Sequence, residues 1–181
     1  MPEQLINGFY HGILMPLIDG FKIFFSSNRF YFSFPILLLL SILISFIRCL
    51  QVINKNIMSL WYIEALVWVF RLLQYFLIIL FAQHLSVEQF FSKQGWAPVL
   101  RGLSEIHTEQ LFRDLIGYLI IFGLYNLILS LVINKKWTTK LNKKISNLDP
   151  NTTHSAMILG FKNLFLIPVA VIHLLKILKF I

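Results

Sequence analysis

Glu64 and Arg71 are ionisable residues set inside one long apolar run, residues 57–84, which reads IMSLWYIEALVWVFRLLQYFLIILFAQH. Residues of these types at such depth support a structural ion pair, a titrating carboxylate in a proton or cation path, or a guanidinium that recognises an anion. Arg48 lies several residues before the end of the preceding apolar run. In an antiparallel hairpin it falls at the depth of Glu64, so the expected arrangement is an Arg48–Glu64 pair that neutralises both charges and locks the hairpin register. Arg71 shares the face of Glu64 but sits two turns, about 10 Å, further along. No acidic residue occupies the interior of the later apolar runs. Its expected partner is therefore a carboxylate on another subunit, ahead of a lipid phosphate or an anionic substrate. Gln74 and Asn126 complete the set of intramembrane polar candidates.

Other chemistries find no constellation. The histidines, His11, His84, His107, His154 and His173, are scattered and show no paired spacing. Glu105, His107 and Glu109 look like a metal site, but on a helix His107 lies roughly 200° from Glu105 and 160° from Glu109, so they cannot close on one ion. There is no nucleophile-elbow serine and no Gly-rich phosphate loop. Cys49, the single cysteine, lies in an apolar run that suppresses the thiolate a nucleophile needs. The sequence predicts no catalytic centre, no cofactor and no bound metal.

The elements that must position these residues are membrane helices. In 181 residues, 57% are hydrophobic and 13% are charged, against about 25% charged in soluble domains. A span needs about 20 mainly apolar residues. Such runs occur at about 34–53, 57–83, 115–133 and 155–178, and the expected fold is all-α, a single integral membrane domain of about four transmembrane helices. Ser33 is the expected N-cap of the first, with Pro35 in its first turn. Asn54-Lys55-Asn56 is a tight turn that makes the first two spans antiparallel neighbours. Gly117 and Gly123 thin the third span where a neighbour approaches.

The remaining segments read as membrane-surface elements. Within residues 5–25, Phe9, Ile13, Leu17, Phe21 and Phe25 recur at i, i+4 and describe an apolar stripe on an interfacial or re-entrant helix, with Pro16 expected to kink it. Residues 28–31 (Asn28, Arg29, Phe30, Tyr31) resemble an interface belt. Residues 86–97 are loop-like, with Gly95 and Pro98 as breakers. Beyond them Arg101, Glu105, Glu109 and Arg113 stack at i+4 into a charge ladder on a helix that runs without a break into the third span. Between the third and fourth spans a basic helix is expected, carrying Lys135, Lys136, Lys140, Lys143 and Lys144 beside Trp137, and ended by Asp149-Pro150-Asn151.

The net charge of +8 sits largely beside apolar runs, which matches anionic lipid headgroups and not nucleic acid. The lysines between the third and fourth spans place that loop on the cytoplasmic side. The expected function is that of a non-enzymatic integral subunit of a larger membrane complex, a secretion, conjugation or transport machine in a cell inner or cytoplasmic membrane, partnered by other membrane subunits. The alternative is a small homo-oligomeric transporter or channel lined by Glu64, Arg71, Gln74 and Asn126. A weaker one is a membrane-embedded enzyme acting on lipid headgroups through residues 86–114.

Overall fold

The computed structural model describes residues 12, 14–54, 60–136, 138–140 and 149–181, and the regular elements among them are all helical. In chain order the main elements are α1 (Met15–Ser33), α2 (Pro35–Ile53), α3 (Trp61–Gln83), α4 (Val87–Phe90), α5 (Lys93–Ser104), α6 (Thr108–Val132), α7 (Pro150–Phe161), a π-helical turn (Lys162–Leu166) and α8 (Ile167–Ile177). Four stretches are long and apolar enough to cross a bilayer: α2, α3, α6 and the continuous run from Pro150 to Ile177. Their large apolar side chains face outward, with Phe46 62%, Leu72 61% and Leu119 67% exposed. In water such a surface would drive association; against lipid tails it carries no penalty. The chain is an all-α polytopic membrane protein.

Span limits depart from the sequence reading at the N-terminal ends. The last run begins at Pro150, because the Asp149 carboxylate accepts the Thr152 N–H at 3.0 Å and Pro150 takes the first helical position. Asp149-Pro150-Asn151 thus starts a helix; the end of the basic helix expected before it lies outside the described residues. At α2 the N-cap is Phe34, without a side-chain cap, and the Ser33 hydroxyl donates to the Arg29 carbonyl at 2.7 Å. The tight turn expected at Asn54-Lys55-Asn56 falls mostly outside the described residues.

Spatial proximity divides the chain into two compact units: Met1–Ser33 with Phe76–Gly123 and Val169–Ile181, and Phe34–Tyr75 with Leu124–Pro168. In the first unit α1 lies against α6. The buried face of α1 is Pro16, Gly20, Ser27 and Tyr31, while Phe21 and Phe25 are exposed. The stripe at Leu17, Phe21 and Phe25 is therefore not the buried side; Phe9 and Ile13 fall outside the described residues. Small residues take the inner face because the backbones nearly touch: a Cβ on Gly117 would sit 2.3 Å from the Pro16 carbonyl oxygen. Pro16 is the second residue of α1, and the described residues just ahead of it, Gly12 and Leu14, are π-helical, so the helix is irregular where the proline falls. Tyr31, expected at the headgroup belt, is fully buried.

Gly117→Ala should destabilise the protein by about 1–3 kcal/mol, because the obstructing atom is backbone and cannot rotate away. Among the described residues, Gly123 has open space where a Cβ would go. Gly123→Ala should leave stability unchanged or raise it through helix propensity. Thermal unfolding of the two variants in detergent separates them.

The same unit contains α4 and α5, which fill residues 86–97, where a loop was expected, and carry the helix expected beyond them as far as Ser104. Ser86 and Gln89 form a reciprocal capping box at the start of α4, and the Ser92 hydroxyl accepts the Gly95 N–H at 3.1 Å to open α5. Gly95 does not break α5; it is the residue that fits beneath the Gln89 carbonyl, 2.0 Å from where a Cβ would stand. Pro98 is carried inside α5. The Arg101–Glu105–Glu109–Arg113 ladder does not form on one helix, since α5 ends at Ser104 and α6 starts at Thr108. The end of the chain stops α5 there: the Lys179 ammonium donates to the Glu105 carbonyl at 3.0 Å, and Gly102 lies against the Lys179 carbonyl.

In the second unit α2 packs against α7 and the π-helical turn. The Ser45 hydroxyl donates to the Gly160 carbonyl at 2.9 Å and the Cys49 thiol to the Ala156 carbonyl at 3.2 Å. Ala156 and Gly160, four residues apart and both buried, form the small-residue seam that lets the two helices approach.

Candidate functional site

A polar cluster in the second unit gathers Arg48, Glu64, Arg71 and Gln74, all the intramembrane polar candidates but Asn126. Its outer part is Arg48 with Glu64. The Arg48 Nη1 donates to Glu64 Oε2 at 2.6 Å and Nη2 to Oε1 at 2.7 Å, a parallel two-bond fork. Gln51, three residues beyond Arg48 on α2, accepts from Arg48 Nη1 at 2.9 Å and donates to Glu64 Oε2 at 3.3 Å. Glu64 stands in the first turn of α3, where the helix dipole also favours a negative charge. The hairpin pairing expected from equal depth is present in the structure.

The inner part is built around Arg71, which is 6% exposed. Its Nη2 donates to Asn163 Oδ1, and its Nη1 to Gln74 Oε1 at 3.3 Å. Within the chain, neutral amide oxygens of α3 and of the π-helical turn receive Arg71. Asn163 donates in turn to the Leu159 carbonyl at 2.8 Å. Gln74, fully buried, donates to Ser41 Oγ at 2.6 Å and to the Leu37 carbonyl at 3.1 Å. A continuous chain of hydrogen bonds thus runs from α2 through α3 to the last span.

Asn163 reaches Arg71 because of Pro168. Proline has no N–H for the carbonyl four residues back, and its ring crowds that carbonyl. The helix widens by one π turn ahead of it, with the Ile167 N–H donating to the Lys162 carbonyl five residues back. Such turns re-aim side chains and recur at functional sites.

Beside this cluster lies an open groove of about 350 Å³, lined by Arg48, Arg71 and Asn163 together with Val67, Trp68, Tyr75, Leu159 and Ile167. Its charged lining is two guanidinium groups, and Trp68 at its rim is 57% exposed. Both Arg48 Nη groups are engaged by Glu64 and Gln51, and the Arg71 guanidinium is set in the apolar wall.

Asn126 is not part of the site; it is exposed on α6 and its carbonyl accepts the Ser130 hydroxyl at 2.9 Å. Lys135, Lys136 and Lys140 are helical and exposed, while Trp137, Lys143 and Lys144 lie outside the described residues. Sequence reasoning missed Gln51, Ser41 and Asn163. The i+3 spacing from Arg48 to Gln51 was a usable signal; for Asn163 the only signal was a polar residue within the last apolar run.

Away from this cluster, His173 is fully buried, its ring 5.4 Å from those of Tyr118 and Phe122. Neither ring nitrogen has a hydrogen-bond partner among the described residues. Among those residues no group of three His, Cys, Asp or Glu side chains is placed to hold a metal ion. Compared with protein-family models, curated proteins and solved structures, the chain finds no match.

Proposed function

We propose that this chain is a non-enzymatic integral subunit of a larger assembly in a cell inner or cytoplasmic membrane, of the secretion, conjugation or transport kind. The observation that carries this reading is the guanidinium-lined groove between apolar walls within the spans. A transmembrane helix of another subunit, bearing one carboxylate, complements it in shape and in sign. Asn163 and Gln74 hold the Arg71 guanidinium in place before binding, so little ordering is left to be done when a partner arrives. Charge complementarity at a desolvated contact selects that partner over neutral helices.

The transporter reading stands second. It asks Glu64, Arg71, Gln74 and Asn126 to line one path, whereas Gln74 is buried with its amide engaged and Asn126 is exposed on α6.

Gentle extraction of the tagged protein from its native membrane tests the proposal. A stoichiometric partner should accompany the wild type and be lost from Arg71→Leu. It should also be lost from Leu159→Trp, which fills the groove and leaves the guanidinium in place. A wild-type protein recovered alone as a defined oligomer would overturn the subunit reading and put solute-flux assays first.

A further inference from the structure

A second cavity lies in the first unit, apart from the arginine groove. It holds about 140 Å³ and is lined by His107, Gln110, Asp114, Lys176 and Lys179, with Ile23 among its apolar walls. Its lining comes from Ile23 of α1, from the residues just before and at the start of α6, from the end of α8 and from the residues that follow it. The α6 and α8 parts are the ends of membrane spans, the level of lipid headgroups.

The residue that distinguishes this cavity is Asp114. It is 8% exposed and its carboxylate has no hydrogen-bond or ion-pair partner among the described residues, although Arg113 and Asp19 act on it through space. Its carboxylate lines the cavity, where a donor can reach it. The two ammonium groups at the cavity are differently placed. Lys176 donates to Ser26 Oγ and stands 6.0 Å from the centre of the Phe30 ring; Lys179 donates to the Glu105 carbonyl at 3.0 Å. Each ammonium carries three donors, so each retains donors for an anion.

A bare cation would satisfy Asp114 but meet two lysine charges, and a simple anion would satisfy the lysines but meet Asp114. A small group with both signs satisfies all of them. We propose that this cavity binds an aminoethyl phosphate group, its ammonium donating to Asp114 and its phosphate accepting from Lys176 and Lys179, as presented by phosphatidylethanolamine. The inference stands apart from the arginine groove and from the subunit reading.

Native mass spectrometry of the full chain, released from micelles containing one phospholipid at a time, tests it. Phosphatidylethanolamine should be retained about tenfold better than phosphatidylcholine, whose methylated nitrogen has no N–H to donate, and about tenfold better than phosphatidylglycerol, which has no ammonium. Asp114→Asn should abolish that preference. Lys179→Met should weaken retention of both phosphatidylethanolamine and phosphatidylglycerol. Free phosphoethanolamine that binds while the lipid does not would assign the same chemistry to a soluble ligand. Equal retention of all three lipids by the wild type, or an undiminished preference in a folded Asp114→Asn protein, would overturn the proposal. The comparison among wild-type lipids decides it even if the variant fails to fold.

Discussion

Glu64→Lys is expected to cost about 3 kcal/mol or more of stability, and the exchange Arg48→Glu with Glu64→Arg to recover most of it. In water a pair of this kind is worth about 0–1 kcal/mol, because solvent takes over when it opens. Here the side chains are only 25% and 43% exposed and lie within spans, where an unpaired charge has poor alternatives. The lysine variant would set two cations at the place where the fork now closes, and Gln51 offers only an amide to mediate between them. Thermal unfolding of detergent extracts, followed by size-exclusion elution, gives the comparison. Single and exchanged variants that unfold alike would show that the fork does not set the α2–α3 register.

Asn163→Leu should cost about 2–3 kcal/mol, the worth of a hydrogen bond to a charged group whose loss leaves buried donors short of an acceptor. The effect comes from Arg71, so it should not add to that of Arg71→Met. The double variant, with a flexible apolar chain facing leucine, should be more stable than the sum of the single changes implies. A double-variant cycle with no coupling would mean that the contact between Asn163 and Arg71 carries no energy. Pro168→Ala should act in the same direction through geometry alone. With the missing N–H restored, the helix can close its π turn and rotate Asn163 away from Arg71.

These expectations divide by how much of each was legible in the sequence. The Arg48–Glu64 fork was legible because a short connection between two apolar runs makes them antiparallel, and depth then follows from counting residues along each helix. The surroundings of Arg71 were not. Asn163 is aimed by a π turn, and whether a helix widens ahead of a proline depends on what packs against it.

The buried face of α1 was not legible for a related reason. In a bilayer large apolar side chains have no preference for the inside, so the periodic stripe at Leu17, Phe21 and Phe25 does not mark the core. The backbone approach of Gly117 to Pro16 marks it instead. The break between α5 and α6 likewise depends on Lys179 reaching Glu105 from far along the chain.

Length, composition and the run of apolar residues by themselves determined that the chain is helical, that it enters a membrane and that it does so through four spans, since the transfer of a helix into lipid is a sum over its own residues. Only the tertiary structure decided which faces meet, where helices break or widen, and which neutral amides receive Arg71. Those outcomes depend on close backbone approach and hydrogen-bond geometry between segments distant in sequence.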